Sequence, residues 1–595
     1  MKKTTVVITS ILLLLALPAL ATVGPSPATP RAVTNDISLN SDLATLEGTV
    51  NATNIPVSNG FDGAFSPTLV LTPRDTKQAS STAPAAPAAF SLIDVPSGPS
   101  YINVAKSIEG TPGTNPNPCV CAPSDMGLGA SSQYVVQMVN LAGTIYNTGG
   151  TIVKPTFQLA DFWFLPNLGG PLKIGMSDPQ VIFDARAQRW FASILDTYHV
   201  NRIRVAVSAT ANPLGTWYIY GVRAPSLNCT STPPTNPQPN CLPDQPWIGY
   251  SDDKFLIAAN DFAFDPTFTT GTFVGAEYWI LNKAQMMAGA FTVVAQSNTP
   301  SSSDYRIDPM QQLSSGTPAY MVENCLTLTP AVQTNDCPAT ITTTDGGINV
   351  FTVTGLPPTA TVTMTTVTIT QTGFPNSADQ PGHPATLATN DNRITGAVYN
   401  NGKIWTSLND GNNGGPCPLP SCVRLDEIAT PVLPGAVALQ DFDFTSNGAA
   451  TFYGSVSTDT SNNLVVMFET SSSTVYPSLL VTGQFATAAP NTLAPSRTVQ
   501  AGSASDLSTR WGDYYYATTQ PGATSTFWVS GGYRTVELFQ GWQTRIGKNN
   551  IRHQHNIVRS MHQQELRLTR DNPTNPLYIS FLYRPAVRSK KCPTQ

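Results

Sequence analysis

Charge is scarce in this chain: Asp, Glu, Lys and Arg supply 12% of 595 residues, and the formal net charge is −5. So weak and slightly acidic a balance gives no general attraction to nucleic acid. Helix-period amphipathic runs are also few, which argues against a helical cytosolic enzyme. Beyond the N-terminus there is no stretch of about twenty apolar residues, so no membrane span is expected in the mature chain. Gly-x-Ser-x-Gly elbows, phosphate loops and His-Glu-x-x-His helices are missing, which removes the enzyme classes built on them. What is abundant is Thr, Ser and Asn, with 43 Gly and 51 Pro. That composition suits an all-β, turn-rich extracellular protein.

The N-terminus reads as an export signal. Lys2 and Lys3 precede an apolar core from Val6 to Leu17, and Ala19-Leu-Ala21 supplies small residues for cleavage. Residues 1–21 are therefore assigned to a signal peptide, and the product is expected to be secreted or attached to the cell surface. Residues 22–125 carry Pro/Ala/Ser/Thr-rich runs such as 80–89 and 110–118, which bury little apolar surface. They are expected to form a stalk or linker. The tail 549–595 holds eight Lys or Arg against two acids and includes His553, His555 and His562; it is expected to be a solvated basic extension.

Nine cysteines fit an oxidising compartment. Cys229 with Cys241, Cys325 with Cys337, and Cys417 with Cys422 each bracket a short polar stretch and are expected to pin loops as disulfides. Cys119, Cys121 and Cys592 remain without an assigned partner.

Between these ends one phrase returns: an Asp or Arg, a short apolar strand, a polar turn, and a strand with an aromatic. It runs Asp178-Pro-Gln-Val-Ile-Phe-Asp184 into Arg189-Trp, then Asp244-Gln-Pro-Trp-Ile-Gly into Lys254-Phe. It returns as Arg393-Ile-Thr-Gly-Ala-Val into Lys403-Ile-Trp, and as Arg510-Trp-Gly-Asp-Tyr into Thr526-Phe-Trp. Units of this size, each of short strands, predict a β-propeller over 126–548. Counted from Tyr134 the units number seven, or six if the first only completes the last, with successive four-stranded sheets closing into a ring.

The strings Tyr134-Val-Val-Gln-Met-Val-Asn, Asp178-Pro-Gln-Val-Ile-Phe-Asp with Arg189-Trp, Asp244-Gln-Pro-Trp-Ile-Gly, Arg510-Trp-Gly-Asp-Tyr and Trp542-Gln-Thr-Arg-Ile-Gly resemble those of secreted, sialidase-like β-propeller proteins. The resemblance spans roughly 134–547 and implies a sialidase-like shape; it implies no particular reaction. A true sialidase would also need three arginines on a substrate carboxylate, a Tyr/Glu nucleophile pair and an acid/base Asp. The Ser-x-Asp-x-Gly-x-x-Trp box of such proteins is missing, since Thr342-Thr-Thr-Asp-Gly-Gly-Ile lacks its spacing and its Trp.

Candidate site residues are Asp178, Asp244, Trp247, Arg393, Trp405, Arg510, Trp511, Asp513 and Arg545. The repeated Asp at the head of an inner strand suits a structural turn, because its carboxylate can accept backbone N–H bonds. A ring of such acids could instead hold a hard cation, and calcium is the one cofactor the sequence admits. Exposed Trp faces could stack on sugars, although packing between blades is the default for them. The leading expectation is a monomer that binds an extracellular glycan, peptide or surface protein without turnover. The alternatives are a sialidase-like glycoside hydrolase or polysaccharide lyase with its site at the channel mouth, or an adhesion component. Three buried arginines facing paired carboxylates in one pocket would favour catalysis over binding.

Overall fold

The computed structural model describes residues 31–32, 43–58, 92–95, 100–113, 122–165, 176–196, 202–224, 241–264, 271–328, 333–335, 337, 345–508, 510–536 and 542–553. Strands dominate them. The two α-helices, Leu159–Trp163 and Lys283–Met287, have five residues each. The sequence phrases fold as up-and-down strands. Met176–Asp184 pairs antiparallel with Arg189–Asp196, and Asp184 Oδ1 closes the turn by accepting the N–H groups of Arg186 at 2.9 Å and Ala187 at 3.1 Å. Arg202–Ser208 and Thr216–Arg223 continue the same sheet outward.

The sheets stand around a common axis as a β-propeller. The ring closes where Tyr516–Thr519 packs against Gly127–Ala130, the first strand of the sheet that follows. Each inner strand is covered on both faces, so Met176–Asp184 and Ala450–Thr458 are buried along almost their whole length. Large aromatics fill the wedges between sheets: Trp190, Trp217, Trp279 and Trp528 are at most 1% exposed.

The expected seven (or six) matched four-stranded blades of sialidase-like shape are corrected by the sheet inventory. Only three of the principal sheets have four strands; the others have five, six and ten. The ten-stranded sheet arises because Gln311–Gln312 pairs in parallel with both Cys241–Tyr250 and Ile394–Asn400, fusing two meanders that the sequence would keep separate. A two-residue parallel strand carries no period that could announce it.

Parts of 22–125 are integral to the propeller. Ala44–Asn51 pairs with Thr216–Arg223, Leu92–Val95 runs parallel to Gln440–Ser446, and Ser100–Glu109 pairs with Gln543–His553. These additions cover strand edges that would otherwise be open. Disulfides join Cys325 to Cys337 and Cys417 to Cys422. Of the expected Cys229–Cys241 pair, Cys229 lies outside the described residues, as do Cys119, Cys121 and Cys592. Among the described residues no helix is long and apolar enough to cross a membrane.

The two ends of the propeller differ. At one end strands turn in a few residues, as between Asp184 and Arg189, Tyr250 and Lys254, or Asn400 and Lys403. The connections at the other end are longer, including Arg223 to Cys241, Asn324 to Asp345 and Asp410 to Cys422. Both disulfides lie among these longer connections. Loops on a rigid scaffold are where function concentrates.

Candidate functional site at the channel mouth

At this second end the chain enters the ring through a series of left-handed residues. Asp125, Asp178, Gln245, Arg306, Asn390 and Tyr453 all have φ between +39° and +62°. Glycine would adopt this conformation without steric cost, whereas an L-residue pays about 1–2 kcal/mol. None of the six is glycine. The backbone geometry recurs while the side chains differ in charge and function, so the ring combines a repeated scaffold with an asymmetric inner surface.

Hydrogen bonds knit these residues together. Arg393 is clamped by Asp391, with Nε on Oδ1 at 2.6 Å and Nη2 on Oδ2 at 2.5 Å. It also donates to Gln245 Oε1 at 2.8 Å and to the Tyr305 hydroxyl at 2.6 Å. Gln245 Nε2 donates to Asp513 Oδ2 at 3.2 Å, and Asn390 Nδ2 donates to Asp513 Oδ1 at 3.1 Å. Arg510 forms an ion pair with Asp513 and keeps 24% side-chain exposure. Across the mouth, Asn140 Nδ2 donates to Asp125 Oδ2 at 2.7 Å, while its Oδ1 accepts the Asp178 N–H at 3.0 Å.

Burial governs the electrostatics. It pushes Asp125 up to about 7, reinforced by the charge of Asp513 and opposed by Arg510. Asp178 is held well above the usual carboxylate range by burial and by Asp125, Asp244 and Asp513; its carboxyl is hydrogen-bonded to that of Asp125. Asp244 rises to about 6, again through burial and then Asp513, with Arg393, Arg510 and Arg306 pulling it back. Burial lowers Arg306 to about 10. The mouth therefore holds carboxyl groups that keep protons near neutrality beside three guanidinium groups.

Of the sequence candidates, Asp178, Asp244, Arg393, Arg510 and Asp513 meet in this cluster. Trp247 lies just below, under the Arg306 guanidinium, and lines an axial cavity with Asp308, Gln311, Ser455 and Tyr516. The other three sit elsewhere. Trp405 and Trp511 are core residues, 2% and 3% exposed, and Trp511 lies under the Arg534 guanidinium. Arg545 projects from the strand Gln543–His553 and pairs with Glu109 at 2.6 Å. Sequence reasoning missed Asp125, Asn140, Gln245, Tyr305, Asn390 and Asp391. A signal existed for two of them: Asp125 stands two residues before the strand Gly127–Ala130, and Asp391 three before Ile394–Asn400, as Asp178 and Asp244 stand at the heads of theirs.

The residues Cys417, Cys422 and Asp443 form a second group of potential metal ligands, with ligand atoms within 4.8 Å of one another. The two sulfurs are already joined as a disulfide, so neither is the thiolate that a metal requires.

No family model matches the chain, and no curated protein matches it. Among solved structures it is similar to a thermostable family-43 glycoside hydrolase at 14% identity, over 56% of this chain and 97% of the other, with a TM-score of 0.24. A xylan β-1,4-xylosidase from Bacillus halodurans C-125 aligns at 11% identity over 75% and 97%, TM-score 0.21. A trans-sialidase-active mutant of the Trypanosoma rangeli sialidase aligns at 8% identity over 71% and 58%, TM-score 0.25. The sialidase-like assignment is cut back to the β-propeller fold alone, since the structures found include two of the family-43 type beside the sialidase. Scores this low support no inference about activity, which has to be drawn from the mouth itself.

Proposed function

We propose that the protein is a glycoside hydrolase acting on an extracellular carbohydrate, with its site at the channel mouth. The observation that carries this reading is the convergence of Arg306, Arg393 and Arg510 on buried carboxyl groups with separated proton affinities. Such separation is how one site supplies both an acid and a base. Asp178, kept protonated by burial and by three neighbouring carboxyls, is the proton donor. Asp244, at about 6 and without a hydrogen bond to its carboxyl among the described residues, is the ionised base. The glycosidic C–O bond breaks as the leaving oxygen takes the proton of Asp178. Water adds its hydroxyl to the sugar carbon, and its proton passes to Asp244. Exchange with solvent restores both groups. Arg510 and Arg306 offer donors to sugar oxygens, while Arg393, saturated by Asp391, Gln245 and Tyr305, holds the frame.

This reading replaces binding without turnover as the preferred one. Calcium at the ring of acids is not required by it, because burial and guanidinium groups already balance the charge. The test is reducing-sugar release from a panel of neutral and acidic polysaccharides by the mature protein. Product is expected from wild type, with a loss of about 10²-fold or more in Asp178→Asn and Asp244→Asn. Binding without product across the panel would return the site to a recognition role.

A further inference from the structure

Asn140 is joined to both members of the carboxyl pair, and its orientation is dictated by its partners. One end of the amide faces two acceptors, Asp125 Oδ2 at 2.7 Å and the Pro123 carbonyl at 3.0 Å. The other faces two donors, the Asp178 N–H at 3.0 Å and the Ser177 hydroxyl at 3.2 Å. A flipped amide would set its oxygen against the Pro123 carbonyl and the Asp125 carboxyl and its NH2 group against the Asp178 N–H, with only the Ser177 hydroxyl able to turn and accept, so the NH2 group points at Asp125 and the oxygen at the Asp178 backbone.

That orientation has a consequence for the proton shared by Asp125 and Asp178. A donor aimed at a carboxylate oxygen favours the ionised form of that carboxylate. Asp125 receives such a donor and also lies within the field of Arg510. Among the described residues no side-chain amide hydrogen-bonds the carboxyl of Asp178; the bond from Asn140 is to its backbone N–H. We propose that Asn140 is a positioning residue that places the shared proton on Asp178 and leaves Asp125 as the anion, so that Asp178 faces the substrate as an acid. The proposal rests on the hydrolase reading for the meaning of that proton, but its location is a property of the protein alone.

The groups facing the pair are Asp244 and Asp513 as acids, Arg510 as the cation, and the buried Tyr514 hydroxyl, whose proton is itself held tightly, chiefly by burial. Burial and the neighbouring acids raise both carboxyls, so the pair retains a proton near neutrality.

Infrared difference spectra test the location without any substrate. At pH 6 the protonated-carboxyl band of wild type is expected to lose intensity in Asp178→Asn and to keep it in Asp125→Asn. Loss in Asp125→Asn with retention in Asp178→Asn would put the proton on Asp125 and overturn the proposal. Loss in neither would show that no proton is shared and would overturn it as well. The role of Asn140 is read from Asn140→Leu and the gentler Asn140→Ser. Without the donor, the acidic limb of the pair's titration should rise by about one pKa unit, a tenfold shift in the proton equilibrium. In a wild type that turns substrate over, kcat should fall about tenfold with KM unchanged. A fall in stability without movement of the infrared titration would reduce Asn140 to a structural clasp and refute the assignment. An inactive wild type whose band behaves as expected would refute the hydrolase reading and leave the proton assignment standing.

Discussion

The guanidinium carbon of Arg306 lies 3.8 Å above the ring of Trp247. This stack ties the cation to a ring that itself lines the axial cavity. A desolvated cation–π contact of this kind contributes about 2 kcal/mol. Arg306 pays for its place with φ at +62°. Arg306→Ala is therefore expected to lose the contact and keep the strain, whereas Arg306→Gly loses the contact and relieves the strain. The glycine variant should be more stable than the alanine variant by about 1 kcal/mol in urea unfolding, and both should weaken substrate binding. An alanine variant as stable as the glycine variant would show that the left-handed backbone carries no strain there.

Asp244 offers a separation of stability from activity. Its carboxyl is buried and raised to about 6, so above that pH the folded state holds a charge it disfavours. Asp244→Asn should raise Tm at pH 8, by the equivalent of about 2 kcal/mol, while abolishing turnover. Stabilisation with loss of activity is the pattern of a group kept for chemistry. A destabilised Asp244→Asn would assign the carboxylate to the scaffold.

Activity should also follow pH in a defined way. Asp244 must be ionised, so kcat/KM is expected to climb as pH rises through about 6. Asp178 must keep its proton, so the fall comes only at higher pH. In Asp513→Asn the neighbouring charge that raises Asp244 is removed, and the acidic limb should move downward. A limb that stays in place would exclude Asp244 as the titrating base.

Global stability should run the opposite way to that of most proteins near neutrality. Asp261 and Asp308 are each raised to about 7, chiefly by burial, and Asp244 to about 6. Between the ordinary carboxylate value near 4 and these raised values, the folded state binds more protons than the unfolded chain. Stability is thus present at low pH and lost as pH rises through 6 to 7. Thermal unfolding from pH 8 to pH 5 should show Tm increasing on acidification. A flat or falling Tm over that range would mean the buried acids are neutralised by something other than protons.

The two described disulfides close short loops of 12 and 5 residues in separation. Serine pairs at Cys325/Cys337 and at Cys417/Cys422 should each cost about 2–3 kcal/mol by chain-entropy reasoning. Reduction of the second pair also frees two thiols beside Asp443, so zinc should bind there after reduction and not before. Calorimetric titration with and without reductant distinguishes the two states. Zinc uptake by the oxidised protein would point to a site elsewhere.

The fold was legible where strands carry their own punctuation. Asp178, Asp244 and Asp513 mark the entrances of inner strands, and Trp190 and Trp528 mark the packed wedges. Less visible were strands without such marks. Ala44–Asn51 and Ser100–Glu109 lie within a region rich in Pro, Ala, Ser and Thr, and they earn their place by covering edges far away in sequence. The sheet fusion through Gln311–Gln312 depends on two residues and was unreadable. At the site, the acids and arginines were visible individually, but their meeting was not. Trp405 and Arg545 look like Trp247 and Arg393 in sequence, but they stand on the strands Lys403–Asp410 and Gln543–His553, further out in their sheets than the inner strands that Trp247 and Arg393 belong to or introduce.

The pairing of Ser100–Glu109 with Gln543–His553 sets an order of events for a chain made from its N-terminus. The last sheet cannot be completed until the segment near its end has been delivered, because the partner made first waits for the one made last. Through most of its synthesis the polypeptide would stay open-ended, and it would lock into its ring only once the final strand has emerged.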